Sequence, residues 1–119
     1  MTITGIDHVQ VAAPAGCEAE ARAFYGELVG LDELPKPEPL AARGGCWFRA
    51  GAQELHVGVE DPFAPARKAH PGLVVTDLGA LASRLRGEGI DVAYDETIPG
   101  TERFYAADPF GNRLEFRQA

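Results

Sequence analysis

Positive charge, cysteine and long apolar runs are all scarce in this sequence. Lys and Arg number 11 against 18 Asp and Glu, which gives a formal net charge of −7. Because contacts to phosphates need clustered basic side chains, this balance argues against a nucleic acid or an anionic membrane surface as partner. The two cysteines, Cys17 and Cys46, are too few for a disulfide framework and suit a reducing compartment.

No stretch of the chain approaches the roughly 20 apolar residues of a membrane helix. The first residues also lack the basic and apolar blocks of a signal peptide. We therefore expect a cytoplasmic location. With 119 residues and 45% hydrophobic content, the chain predicts one domain, residues 1–119.

An internal repeat divides the chain into two halves. His8 lies in an alternating run near the start of the first half, and His70 lies 62 positions later near the start of the second. His56 lies between two apolar residues near the end of the first half, and Glu115 takes the same place 59 positions later. The repeat predicts an α+β fold of two βαβββ modules, residues 1–60 and 69–119. Placed side by side, their mixed sheets would form a curved cup.

Apolar periodicity locates the predicted helices and strands. Spacings of i, i+3, i+4 and i+7 predict helices over 17–29 and 78–87, the second capped by Asp77. Prolines at 35, 37 and 39 predict a loop over 35–43. Alternating or apolar runs predict strands at 5–12, 31–34, 45–50, 53–59, 70–76, 90–95, 103–107 and 113–117.

The repeat also pairs the residues that could bind a metal. If the first and last strands of each module face one cavity, His8, His56, His70 and Glu115 meet there. Imidazole nitrogens with one carboxylate suit a divalent transition metal and leave positions for water or substrate. A single strand histidine is more often a hydrogen-bonded residue than a ligand, so the hypothesis depends on the repeated positions. Glu54 is an alternative ligand on the His56 face, although an exposed carboxylate is the expected state.

Substrate contacts are predicted on the penultimate strand of each module. Trp47 and Tyr105 lie there beside core aromatics and could line a pocket. Arg49 and Arg103 could hold a carboxylate or phosphate, although an exposed arginine is the commoner state. The cysteines show no arrangement for nucleophilic catalysis.

Three motifs resemble the vicinal oxygen chelate superfamily, which includes glyoxalase I, bleomycin-resistance proteins and extradiol dioxygenases. They are Asp7-His8-Val9, Ala23-Phe24-Tyr25 followed by Leu28-Val29-Gly30-Leu31, and the run from Phe104 to Phe116 that contains Asp108-Pro109-Phe110-Gly111-Asn112. The last is the most specific of the three. Together they span nearly the whole chain, and the two-module fold of that superfamily agrees with the repeat.

The resemblance implies metal ligands at His8, His70 and Glu115, with His56 in the fourth position. Glyoxalase I has Glu at that fourth position and methylmalonyl-CoA epimerase has Gln, so His56 leaves the metal (Zn, Ni, Fe, Mn or Co) and the reaction open. The implied function is a metal-dependent lyase, isomerase or dioxygenase acting on a small substrate that chelates the ion through vicinal oxygens. In isomerase members a ligand carboxylate is also the catalytic base, which here is Glu115.

Two alternatives stay open at this stage. The first is a non-catalytic antibiotic-binding protein like the bleomycin-resistance proteins, which the acidity and small size favour. The second is a family member with a relic site whose fold serves dimerisation. A homodimer is expected in each case because exposed sheet edges invite pairing.

Overall fold

Two four-stranded sheets, each with a helix, account for most of the regular structure in the computed structural model, which describes residues 1–119. The chain divides into two compact units, Met1–Ala64 and Pro65–Ala119. Each unit runs strand, helix and three further strands. The structure contains no helix with the length and apolar character that a membrane span requires.

The first unit has the sheet order β1-β4-β3-β2. Strand β1 is parallel to β4, and the other pairs are antiparallel. Helix α1 continues directly as a π-helical segment, and α2 is a single turn between β2 and β3. The bounds are β1 His8–Ala13, α1 Glu18–Ala21, the π-helical segment Arg22–Leu28, β2 Asp32–Leu34, α2 Glu38–Ala41, β3 Cys46–Ala50 and β4 Gln53–Val59.

The second unit repeats this plan with the order β5-β8-β7-β6. Its first strand is again parallel to its last. The Asp77 carboxylate accepts the Ala80 N–H at 3.0 Å and so caps α3 as predicted. The bounds are β5 Gly72–Val75, α3 Leu78–Gly87, β6 Ala93–Tyr94, β7 Arg103–Ala107 and β8 Arg113–Gln118.

Each unit buries one sheet face under its helix. In the first unit, Phe24 and Tyr25 of the π-helical segment are buried with Phe48 and Leu55 of the sheet. In the second unit, the apolar side of α3 and the alternate residues of β7 and β8 form the core. These buried residues are Leu78, Leu81, Ala82, Leu85, Phe104, Ala106, Leu114 and Phe116. Because strand side chains alternate, the intervening residues lie on the opposite face, where the candidate site is found.

Four local expectations differ from the structure. The strand predicted at 5–12 begins only at His8. The proline-rich segment contains α2, because Pro39 lies in the first turn, where a helix needs no N–H from it. The strand predicted at 70–76 begins only at Gly72, so His70 precedes the strand. The strand predicted at 90–95 shortens to Ala93–Tyr94.

Candidate functional site

Three aromatic rings stack on the open sheet face of the first unit. Parallel pairing of β1 with β4 sets His8 opposite Glu54, and antiparallel pairing of β3 with β4 sets Trp47 opposite His56. The Trp47 and His56 rings are 4.0 Å apart and 5° from parallel. The His8 ring stacks on the other side of His56 at 4.2 Å and 15°. His56 is therefore held between two rings and is only 4% exposed.

Carboxylates accompany both imidazoles of this stack. His56 Nε2 lies 2.9 Å from Glu54 Oε1, and His8 Nδ1 lies 2.9 Å from Asp7 Oδ2. The lone pairs of an imidazole lie in the plane of its ring, so those of two stacked rings run side by side and do not converge. A shared ion would therefore require the His8 ring, whose side chain is 45% exposed, to turn out of the stack.

The second unit brings His70 and Glu115 together. His70 Nδ1 lies 2.9 Å from the carbonyl oxygen of Lys68, and a carbonyl only accepts, so Nδ1 carries a proton. His70 Nε2 lies 3.2 Å from Glu115 Oε1. In the neutral imidazole this nitrogen holds a lone pair, which would face a carboxylate oxygen. The contact is favourable only when a cation, either a proton or a metal ion, lies between the two atoms.

Arg103 neutralises the buried Glu115 carboxylate from β7. Its Nη1 donates to Glu115 Oε1 at 3.1 Å and to the Tyr105 hydroxyl at 2.8 Å. Its Nη2 contacts Asp95 at 3.2 Å and donates to Thr97 Oγ1 at 3.1 Å. The Arg103 Nε atom is buried and has no hydrogen-bond partner. One donor of a well-held guanidinium is thus unsatisfied within the protein.

The pKa of Glu115 reflects opposing influences. Burial is the largest single influence and by itself would raise the pKa. Hydrogen bonds to His70 and Tyr105, with the positive charge of Arg103, outweigh burial and leave the pKa below its usual range. The carboxylate therefore stays ionised, which a metal ligand requires, whereas its affinity for a proton is low.

The four residues predicted to contact substrate differ in their surroundings. Trp47 is half-buried in the ring stack, and Tyr105 is half-buried opposite Glu115. Arg103 is buried, contrary to the commoner exposed state, whereas Arg49 is exposed opposite Glu54. In the sheet registers, the position of Arg49 in the first unit corresponds to Ala107 in the second. Arg49 and Arg103 therefore do not lie at equivalent positions of the repeat.

Glu54 departs from the exposed state expected of it, because it is half-buried and contacts His56. The sequence signal for this contact is that Glu54 lies two residues before His56 and therefore on the same face of the strand. Asp95 and Thr97 were not predicted as site residues. They reach Arg103 from the loop after β6, and no sequence spacing indicates this contact.

The two cysteines are buried in the core of the first unit. Cys17 and Cys46 are each 1% exposed, and burial, followed by the neighbouring Glu18 carboxylate, raises the pKa of Cys17 to about 11. Neither thiol is thus activated as a nucleophile. Neither unit contains by itself three or more His, Cys, Asp or Glu side chains grouped to hold a metal. That all four predicted ligands share one ion stays a prediction.

Comparison with known proteins places the chain in a family. No family model matches it, and no curated protein matches it. A solved structure of a glyoxalase family protein from Bacillus anthracis shares 56% identity over 99% of this chain and 97% of that one, with a TM-score of 0.95. The chain belongs to the glyoxalase family.

More distant structures share the fold of this glyoxalase family protein. A lactoylglutathione lyase from Agrobacterium tumefaciens is 21% identical over 100% of this chain and 96% of that one, with a TM-score of 0.75. TnmS3, an antibiotic-binding protein from Streptomyces sp. CB03234, is 24% identical over 99% and 98%, also with a TM-score of 0.75. Membership of the vicinal oxygen chelate superfamily and the two-module α+β fold are confirmed.

Proposed function

We propose that this glyoxalase family protein is a metal-dependent enzyme of the lyase, isomerase or dioxygenase type. Its substrate is a small molecule that presents two neighbouring oxygens to a divalent ion. His8, His56, His70 and Glu115 hold the ion, and His8 must turn out of the ring stack to do so. The chemistry supplied by such an ion is charge stabilisation on the substrate oxygens, which makes an adjacent C–H bond more acidic or favours reaction with dioxygen.

The contact between His70 and Glu115 carries this proposal. The Lys68 carbonyl fixes the imidazole tautomer so that Nε2 is the nitrogen that faces Glu115 Oε1, and a proton or a metal ion between the two atoms makes this contact favourable. Two donors held by one transition metal at about 2.1 Å would lie about 3.0–3.4 Å apart for angles of about 90–110°. The observed separation of 3.2 Å falls in this range. The spacing of the two donors is therefore compatible with a shared ion.

The remaining residues have distinct roles in the proposal. Arg103 keeps Glu115 ionised and offers its Nε–H to a substrate oxygen. Tyr105 and Trp47 provide flanking surface, and Arg49 can pair with a charged group of the substrate. As a catalytic base, Glu115 would need these contacts to loosen, because hydrogen bonds from His70 and Tyr105, followed by the charge of Arg103, lower the pKa of the carboxylate. We also propose that the protein forms a homodimer and is located in the cytoplasm.

The ring stack provides a direct test of metal binding. Trp47 is the only tryptophan, so its fluorescence reports on His56, which stacks on it at 4.0 Å. We expect Co²⁺ or Ni²⁺ added to chelator-treated protein to quench this fluorescence saturably. Glu115→Gln should weaken the apparent affinity by about 100-fold if both histidine-bearing units share one ion.

Glu88→Gln is the matched control, because Glu88 is an exposed carboxylate in the same unit as Glu115. It should leave the titration unchanged. Quenching that is identical in the Glu115→Gln and wild-type proteins would contradict a shared site. No saturable response to Zn, Ni, Co, Mn or Fe, by fluorescence or by metal analysis, would refute the metal-dependent enzyme.

The antibiotic-binding alternative has one supporting observation of its own. The outer face of His8 ends a three-ring stack and is part-exposed, which suits a flat aromatic ligand. Calorimetric titration of the metal-free protein with a bleomycin-like glycopeptide at two salt concentrations distinguishes the two functions. Micromolar binding that is unchanged by His70→Ala and Glu115→Ala would favour the binding protein.

A further inference from the structure

A shallow cavity of about 610 Å³ that is open to solvent lies in the second unit. Its walls include Arg67, Arg113, Tyr105 and Phe110, with Asp91 as the only acidic residue. Neither Arg67 nor Arg113 takes part in an ion pair. In a chain with a net charge of −7, two unpaired guanidinium groups in one cavity form a local site for an anion.

The turn at Asp108–Asn112 holds one wall of this cavity in place. The Asp108 carboxylate accepts the N–H groups of Phe110 and Asn112, each at 2.9 Å. Asn112 Oδ1 in turn accepts the Ala66 N–H at 3.0 Å, and the Arg113 N–H donates to Ala66 O at 2.9 Å. These bonds fasten the segment that carries Arg67 to the start of β8, which carries Arg113.

Gly111 tightens the same turn. Its φ is +91°, and a Cβ there would lie 3.4 Å from the Pro65 side chain. The residue thus adopts a conformation that other residues avoid and leaves room for the Pro65 wall. The motif that is most specific in the sequence therefore builds the cavity.

Stacking orients the Arg113 guanidinium. Its central carbon lies 3.9 Å from the Tyr105 ring centroid, which is close for a cation–π contact. One face of the guanidinium is thereby covered, and its N–H edges stay available for paired hydrogen bonds to a carboxylate or phosphate. Arg113 and Glu115 share a face of β8 two residues apart, which is about 7 Å along a strand.

We propose that this cavity binds the carboxylate or phosphate group of a small organic anion between Arg67 and Arg113. The apolar part of the ligand lies against Phe110 and the edge of Tyr105. This inference goes beyond the proposed function, because anion binding here requires no metal. A second cavity of about 500 Å³ in the same unit is lined by Asp95, Glu96 and Glu102, with Arg103 as its only basic residue, and provides a more acidic contrast.

Calorimetry and NMR of chelator-treated protein test the proposal with four probes: phenyl phosphate, benzoate, benzyl alcohol and benzylamine. We expect the two anions to bind, to weaken as salt is raised, and to shift the signals of Arg113 and Gly111. Benzyl alcohol and benzylamine should bind at least tenfold more weakly. Carboxylate and phosphate forms of the ligand are distinguished by which probe binds more tightly.

Arg113→Gln and Arg67→Gln should each weaken phenyl phosphate binding about tenfold. Arg86→Gln is the matched control, because Arg86 also lies over a tyrosine ring, Tyr94, at 5.8 Å but outside this cavity. Arg67 is exposed, so its variant tests the site even if Arg113→Gln lowers stability. Equal binding by wild-type and Arg67→Gln protein, or benzyl alcohol binding as tightly as benzoate, would overturn the proposal.

Discussion

In each unit, the penultimate strand carries an aromatic residue on the face of the candidate site. The residue paired with this aromatic on the last strand is His56 in the first unit and Glu115 in the second. The aromatic itself changes from Trp47 to Tyr105. The strand orders and registers of the two units match, so these positions are structurally equivalent. The same position in the sheet thus carries a nitrogen donor in the first unit and an oxygen donor in the second.

The groups around these donors differ in sign. His56 contacts the Glu54 carboxylate, whereas Glu115 contacts the Arg103 guanidinium and His70. The register position of Glu54 corresponds to Arg113 in the second unit, which is a reversal of charge. In each unit, the donor residue therefore contacts a charged group of the same unit. The backbone repeat fixes where the donors lie, whereas the charges next to them differ between the two units.

Gly45→Ala should have the largest effect, and it should break the first unit alone. Gly45 has φ +85°, and an added Cβ would lie 2.0 Å from the Val57 carbonyl oxygen. Because that atom is backbone, the strand must move, and we expect a loss of about 4 kcal/mol in the free energy of unfolding.

Gly79→Ala in α3 is the contrasting substitution in the second unit. Its Cβ would meet only Asp77 Oδ1 at 3.9 Å, so a gain of up to about 1 kcal/mol is expected. Urea unfolding followed by circular dichroism measures both variants. A Gly45→Ala protein as stable as wild type would show that the β3 strand does not constrain the first unit.

Arg103→Met removes the cation that distinguishes the second unit. The Glu115 carboxylate would stay buried with less compensation, so we expect the melting temperature to fall by roughly 10 °C. Arg117→Met is the matched control, because Arg117 lies 3.7 Å from Glu115 but is exposed. Its effect should be small. Equal effects of the two substitutions in differential scanning calorimetry would mean that burial does not set the strength of the Glu115 pair.

Glu18→Gln tests a half-buried carboxylate of the first unit, at the start of helix α1. The hydrogen bond from Gly45 N at 2.8 Å, followed by that from the Cys17 thiol, lowers the Glu18 pKa below 4.5. A lowered folded-state pKa stabilises above the unfolded pKa, and this stability is lost as pH falls through the folded-state value. We expect a cost of about 1.5 kcal/mol at pH 7.

The difference between wild-type and Glu18→Gln protein should disappear at acidic pH, because the wild-type carboxyl is then also uncharged. Glu20→Gln, an exposed residue of the same helix, should show no pH-dependent difference from wild type. Unfolding curves between pH 7 and the acid limit measure this. A Glu18→Gln deficit that persists unchanged at low pH would exclude the ionised carboxylate as its cause.

Local signals predicted α3 and the β3–β4 hairpin closely. The apolar period and the Asp77 cap act within a few residues, so they can be read from the sequence. The single turn α2 escaped prediction, because prolines normally forbid a helix and only their position in its first turn permits it. His70 lies outside its predicted strand, since apolar alternation does not mark where pairing with β8 begins.

The sequence predicted which residues belong to the candidate site better than it predicted their contacts. The repeat located His8, His56, His70 and Glu115 without any contact information. It could not show that Arg103 turns inward, because that depends on Asp95 and Thr97 in a loop of the folded unit. Nor could it show the Lys68 carbonyl that fixes the His70 tautomer, since every residue has a carbonyl.

Tyr105→Phe should give the smallest effect and test the polar character of the second unit's aromatic. The hydroxyl accepts from Arg103 Nη1 at 2.8 Å, whereas the ring supports Arg113 and His70. Removing only the hydroxyl should cost about 1 kcal/mol and should raise the pKa of Glu115, because one of its hydrogen bonds is lost. Tyr94→Phe, in an exposed tyrosine of the same sheet, is the control. If carboxyl NMR titration shows the Glu115 pKa unchanged by Tyr105→Phe, then His70 and Arg103 hold the carboxylate ionised without the Tyr105 hydroxyl.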